Sequence, residues 1–174
     1  HVLGQPDFTS ANFSNFRSGL YYPWGVTFDS LSKNLVVADS DNSRILFYDT
    51  SNGLSDGMTP SSSLAGVVSW DSPVTAIDHT HHRMFIGDYG SNRIMVYSLD
   101  ANDRLTSTIP EYVLGQTDFT STTDHCSSVS AGAFCSFWGI TYDGSLNSLI
   151  VSDYLNNRVL VFNFDNGISN GMAA

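Results

Sequence analysis

Apolar and polar positions along this chain fall into short alternating runs, and the runs come in sets. Residues 25–29 (GVTFD) alternate apolar with polar, and residues 30–34 break the run with Ser, Lys and Asn. Residues 35–39 (LVVAD) form a compact apolar run. Residues 40–43 are polar, and residues 44–49 (RILFYD) are apolar again. Alternation of this kind predicts a half-buried strand, and a short apolar run bounded by turn residues predicts a buried one. The residues in the runs are Val, Ile, Leu, Phe and Tyr, which suit a pleated, packed surface. No window of a dozen residues places its apolar positions at helical spacing. Each set therefore predicts three antiparallel strands, a, b and c in chain order, joined by tight polar turns.

The set is written three times, at residues 25–49, 74–100 and 139–165. Asp29, Asp78 and Asp143 end the first run of each copy. A second aspartate follows at Asp39, Asp88 and Asp153, and then an arginine at Arg44, Arg93 and Arg158. Self-similarity at a period of about 50 residues marks a repeat architecture. Three strands leave an open edge, so a fourth is needed. A second repeat supplies it: residues 2–10 (VLGQPDFTS) and 113–121 (VLGQTDFTS) differ at one position, and residues 63–68 (SLAGVV) are a degenerate middle copy. Fourth strands are expected near residues 1–5, 63–68 and 112–116. Four-stranded meanders at this period predict an all-β fold, a β-propeller.

The pattern carried by Pro23, Gly25, Val26, Asp29, Leu35, Val37, Asp39, Asn42, Arg44, Ile45 and Tyr48 resembles the NHL repeat. The VLGQ-x-DFTS linker is similar to that of secreted NHL-repeat proteins. The resemblance implies four-stranded NHL-like blades, three in this chain, half of a six-bladed ring. It also implies a platform for protein or RNA, with a few relatives that are lyases or hydrolases. Copy two departs from the pattern, with Ser72 and Val74 where the first copy has Pro23 and Gly25.

Composition narrows the function classes. The chain has 174 residues and a net charge of −10, with sixteen Asp, one Glu and only seven basic residues. Three of those seven are the repeat arginines, so no basic stripe exists to neutralise phosphates, and nucleic acid is an unsuitable partner. No apolar run approaches the length of a membrane span. The chain begins inside a repeat without an initiator Met, which reads as a mature product or a piece of a longer chain. Its tail, residues 166–174, resembles residues 52–58. Written before the head, the tail gives NGMAA-HVLGQ, so the chain tiles as three units in a shifted frame.

Candidate chemistry is sparse. Asp39, Asp41, Asp88 and Asp153 in the b–c turns suit Ca²⁺, but one carboxylate per copy fits better with satisfying its turn and facing the repeat arginine. His79, His81 and His82 could ligate Zn²⁺ or Cu²⁺. They fall in an a–b turn without a carboxylate cluster or Cys beside them, which reads as a solvated turn. Cys126 and Cys135 bracket a loop rich in Ser, Gly and Ala, and the corresponding loop of the first copy, residues 11–22, lacks both, which reads as a disulfide and an oxidising compartment. Asn12-Phe13-Ser14 is an N-glycosylation sequon. Phe16, Tyr21, Tyr22, Trp24, Trp70, Phe134, Phe137 and Trp138 cluster ahead of the first strands. They are expected to pack between blades, with a carbohydrate-stacking platform as the alternative.

The resulting expectation is a non-catalytic extracellular module for protein binding or assembly. Its partners would be other copies of itself, flanking repeats of a longer chain, or protein or glycan ligands. The alternative is a metal-dependent propeller lyase or lactone hydrolase. Such an enzyme would need ligands gathered from several blades, yet the one Glu is Glu111 and the histidines share one turn. Val2, Leu3, Gly4 and Gln5 are expected to form a strand that pairs with residues 158–163 of another copy or of adjoining chain.

Overall fold

The computed structural model describes residues 1–68 and 74–174; Trp70 and Ser72 lie outside the described residues. The first blade comprises β1 (Pro23–Asp29), β2 (Asn34–Asp39), β3 (Arg44–Asp49) and β4 (Ser62–Ala65), hydrogen-bonded in that order. The second comprises β5 (Val74–Asp78), β6 (Arg83–Asp88), β7 (Arg93–Ser98) and β8 (Tyr112–Leu114) in the same order. In the third, β9 (Phe137–Asp143), β10 (Ser148–Asp153) and β11 (Arg158–Asn163) form a three-stranded sheet. All neighbours are antiparallel, and Asp39, Asp88 and Asp153 each face the repeat arginine across the hairpin. The architecture is an all-β propeller segment of three blades.

The b–c turns share one geometry. Each is a single 3₁₀ turn (Ser40–Asn42, Tyr89–Ser91, Tyr154–Asn156) followed by a left-handed residue, Ser43, Asn92 or Asn157, with φ near +50°. Asn tolerates this region better than most residues, which explains its use in two of the three turns. The a–b turns likewise end in left-handed residues, Lys33, His82 and Asn147. The carbonyls of these residues accept hydrogen bonds from the N–H groups of Thr50, Leu99 and Phe164.

Blades pack face to face. Val36, Ala38, Ile45, Phe47 and Leu64 of blade one meet Met84, Ile86, Met95 and Tyr97 of blade two. The reverse face of blade two, with Phe85, Ile94, Val96 and Leu114, meets Leu149, Val151, Leu160 and Phe162. The innermost strands β1, β5 and β9 lie against one another in turn. Between the first two, Thr27 Oγ1 donates to the Thr75 carbonyl at 2.9 Å.

The expected fourth strands are corrected in two ways. The middle one spans Ser62–Ala65 and the last Tyr112–Leu114, both shorter than expected. Residues 1–5 form no strand. Leu3 instead packs with Leu20, Leu35 and Met58 over Val37, Leu46 and Tyr48. Two backbone groups of Val2 are held by the loop that follows β3: its N–H donates to Asp56 Oδ1 at 2.9 Å, and its carbonyl accepts from the Gly57 N–H at 3.0 Å. With no c strand alongside among the described residues, the segment keeps its place but not a ladder.

Candidate functional site

The b–c turns and the long loops 6–22 and 117–136 share one end of the blade stack. Repeat charges tie them together. Arg44 Nε donates to Asp39 Oδ2 at 2.6 Å, and its Nη2 donates to the carbonyls of Phe16 and Gly19. Arg158 Nε donates to Asp153 Oδ2 at 2.7 Å and Nη2 to the carbonyls of Ser130 and Ala133. Arg93 Nε reaches Asp88 Oδ2 at 2.9 Å, and Nη1 the Phe119 carbonyl. The free oxygens of Asp39 and Asp153 accept the N–H groups of Tyr21 and Cys135, both at 2.7 Å. Asp39, Asp88 and Asp153 are almost fully buried. Each Asp–Arg unit thus joins a b–c turn to a loop.

The VLGQ-x-DFTS linkers are built the same way twice. Gly4 and Gly115 have φ of +81° and +85°, a region that Gly enters without steric cost. Buried Gln116 donates from Nε2 to the carbonyls of Ser91, Asn92 and Thr123, and Gln5 to that of Asn12. Asp7 Oδ1 accepts from Thr9 N, Thr9 Oγ1 and Ser10 N, and Asp118 repeats this with Thr120 and Ser121. These bonds, the Thr9 hydroxyl first, pull the Asp7 carboxyl down to about 2. The equivalent bonds push Asp118 well below the ordinary carboxylate value.

The aromatic residues divide into two groups, a correction to the expectation that all pack between blades. Phe134 and Phe137 are fully buried. Phe16, Tyr22, Trp24 and Trp138 are exposed, Trp24 by 55% and Trp138 by 43%. Both tryptophans sit at bulges: pairing of β1 with β2 skips Trp24, and pairing of β9 with β10 skips Trp138. A bulge re-aims the side chain of its extra residue. The two indoles stack at 6.4 Å with planes 5° apart, and Trp138 also meets Tyr154 at 4.7 Å and Tyr89 at 6.5 Å. Sequence reasoning flagged the tryptophans but not their stacking or the part of Tyr89 and Tyr154.

Cys126 and Cys135 form a disulfide. Asn12 of the sequon is exposed. At the opposite end of the stack the three histidines part company. His81 Nδ1 lies 3.0 Å from Asp78 Oδ2, which also accepts from Arg83. Burial opposes that charge most, but the bonds and charge of Arg83, the His81 N–H and the Tyr142 hydroxyl together outweigh it and hold Asp78 below the ordinary value. His79 and His82 converge instead on buried Asp103, at 2.5 and 2.6 Å, and His79 Nδ1 is also 3.6 Å from Asp29 Oδ1. The expectation that no carboxylate cluster accompanies these histidines is corrected: Asp29 and Asp103 gather at His79.

β11 pairs only with β10 among the described residues, and Val159 and Val161 are 61% and 45% exposed beside its outer edge. Val26 and Phe28 of β1 are exposed at the other end of the stack.

The family profile of the NHL repeat matches residues 20–47. No curated protein matches the chain in sequence. Among solved structures, a protein from Lactobacillus plantarum is similar at 17% identity and a TM-score of 0.54, covering 84% of this chain and 39% of its own. Virginiamycin B lyase from Staphylococcus aureus is similar at 11% identity and a TM-score of 0.45, covering 82% and 41%. A nidogen/laminin complex is similar at 15% identity and 0.48, covering 90% and 53%. This chain therefore spans about two-fifths to half of the structures it matches, and the first likeness speaks for the fold alone. No helix among the described residues is long and apolar enough to cross a membrane. The successive antiparallel blades around shared inner strands make this chain a β-propeller segment, one whose residues 20–47 match the NHL repeat.

Proposed function

We propose that the chain is a non-catalytic extracellular propeller module for protein binding and assembly, whose two ends accept further blades of the same kind. A second copy or flanking repeats of a longer polypeptide would supply them. One observation carries the reading. Val2 is held as its counterpart Val113 is held in the middle blade. The Val113 N–H donates to Asn170 Oδ1 at 3.0 Å and its carbonyl accepts from the Gly171 N–H at 3.0 Å. Asp56 and Gly57 do the same for Val2. Around Val113, β8 additionally pairs with β7. This equivalence supports residues 2–5 as the outer strand of a blade whose third strand would resemble β11, and β11 has no partner beyond β10 among the described residues. The disulfide supports an oxidising compartment. Engagement of Asp39, Asp88 and Asp153 by arginine supports a scaffold role for the repeat carboxylates. The stacked Trp24 and Trp138 offer protein or glycan ligands an aromatic face on the loop end.

Sedimentation of the 174-residue chain and its Val161→Lys variant tests assembly. The wild type should associate with rising concentration, and the variant, charged beside the open edge, should stay monomeric with an unchanged β spectrum. A wild type that remains monomeric throughout, or a variant that associates equally, overturns the reading.

A further inference from the structure

The end of the stack opposite the loop face departs from the repeat at two places, and the departures meet. The first is the a–b turn of the middle blade: where it has His79 and His82, the first copy has Ser30 and Lys33 and the third has Gly144 and Asn147. The second is the segment after the third strand. Copies one and three run NGLSDGM and NGISNGM, whereas the middle copy runs DANDRLTSTIPE. Its own small hairpin, closed by a bridge between Leu99 and Leu105, holds Asp103 in a left-handed conformation at φ +55°. Asp103 is 3% exposed, and its carboxylate has His79 Nδ1 at 2.5 Å from one oxygen and His82 Nδ1 at 2.6 Å from the other. Across the seam from blade one comes Asp29, 1% exposed.

Buried carboxylates call for a compensating cation. Asp78, the counterpart of Asp29 at the next seam, has Arg83. The position equivalent to Arg83 in blade one is Asn34, whose Nδ2 bonds Ser32 instead. Asp29 is oriented by the N–H groups of Leu31 and Ser32 and by the Ser32 hydroxyl, all neutral donors. His79 is the cation-capable side chain at Asp29 among the described residues. One oxygen of Asp29, one of Asp103 and a nitrogen of His79 lie within 4.8 Å of one another.

We propose that Asp29, His79 and Asp103 form a binding site for a divalent transition-metal ion, with His82 positioning the Asp103 carboxylate. A two-oxygen, one-imidazole donor set with an open fourth position falls within the ligand range of zinc. Ligand atoms about 2.0–2.2 Å from zinc stand about 3.3 Å apart in a tetrahedron, close to the 3.6 Å between His79 and Asp29. The ion takes the place of the proton between His79 Nδ1 and Asp103 Oδ2, and those atoms open by about 1 Å to admit it. His82 bonded to the second oxygen of Asp103 is the outer contact that fixes a ligating carboxylate. The His79 side chain is 43% exposed, and a groove of about 500 Å³ lined by Ser32, Asn34, Asp103 and Arg104 opens beside the cluster, so water can fill the fourth position. His81, committed to Asp78, stays outside the site.

Isothermal titration of chelator-treated protein with ZnCl₂, and Co²⁺ absorption spectra of the same samples, test this. Wild type should bind one equivalent, and Co²⁺ should give the intense visible bands of four-coordination. His79→Ala should abolish binding, His82→Ala should weaken it about 10–100-fold, and His81→Ala should leave it unchanged. His79 and His81 are both partly exposed, so the pair decides the matter even if Asp103→Asn unfolds. Equal loss in His81→Ala and His79→Ala would mean loose chelation by a His-rich turn and would overturn the proposal. So would wild-type binding no tighter than that of His79→Ala. Neither outcome bears on assembly, which is read from sedimentation at the far blade edge.

Discussion

At the scale of single residues, the repeat aspartates and arginines act as fasteners rather than as surface charge. Asp39 is buried, and the Arg44 side chain is only 14% exposed. Removing one partner of such a pair strands a charge in low dielectric, which costs about 3–5 kcal/mol. Arg44→Met should therefore lower the urea midpoint by an amount equal to about 3 kcal/mol, and Arg158→Met by less, since its side chain is 26% exposed. Equal and negligible losses would assign these pairs to the surface class, worth about 0–1 kcal/mol. Glycines test the linkers in the same way. A Cβ on Gly115 would stand 2.2 Å from the Phe134 ring at φ +85°, whereas one on Gly53 at φ +88° meets nothing within 4 Å. Gly115→Ala should cost about 3 kcal/mol in the same unfolding experiment, and Gly53→Ala about 1 kcal/mol. The two tryptophans show the limit of sequence reading at this scale. Their equivalence is written in YPWGV and SFWGI, but a bulge is a matter of pairing with the next strand, and no local pattern announces it.

At the scale of elements, strands were legible because their periodicity is local and repeated. β3, β6 and β7 begin where the apolar runs begin, and the 3₁₀ turns fall on the polar stretches between. The metal-candidate cluster was not legible. Asp103 stands 21 residues from His82 in a hairpin that only the middle copy possesses, and Asp29 arrives from another blade. A contact between two departures from a repeat has no periodicity to reveal it. The loop carrying the disulfide lies between these cases. It is an insertion with little apolar content, and Cys135 is buried beside the Asp153 clamp while Cys126 is exposed. Closing a loop of this size stabilises by about 2–3 kcal/mol in the chain-entropy account. Alkylation without reductant should find no free thiol. Cys126→Ser should lose about that much stability, with the increase in proteolysis confined to residues 121–136; full alkylation of unreduced protein would remove the staple.

At the scale of the whole molecule, the acidic turns and the open edge govern behaviour. Asp7 titrates at about 2 against an ordinary 3.8, and Asp49, Asp100 and Asp143 shift the same way through hydrogen bonds from their own turns. A depressed folded value means that the unfolded chain binds more protons in the window below 3.8. The stability these carboxylates provide is complete above that value and disappears as pH falls through the folded ones. Melting temperature should therefore drop between about pH 4 and pH 2, and a carboxyl NMR titration should place the Asp7 midpoint near 2. The blade edge makes a separate prediction. β7 has partners on both sides, β6 and β8, whereas β11 has β10 alone among the described residues. Half of the β11 amides consequently point at no ladder, and each hydrogen bond gained on pairing would contribute about 0.5–1.5 kcal/mol. Hydrogen exchange can read this strand by strand at different protein concentrations. In dilute solution the outward amides of β11 should exchange far faster than those of β7. At concentrations where the chain associates, protection should rise on β11 and on residues 2–5 together, because the same new ladder covers both. Protection that rises on the loop face while β11 stays fast would place the contact at the aromatic cluster and remove blade-to-blade pairing as the means of assembly.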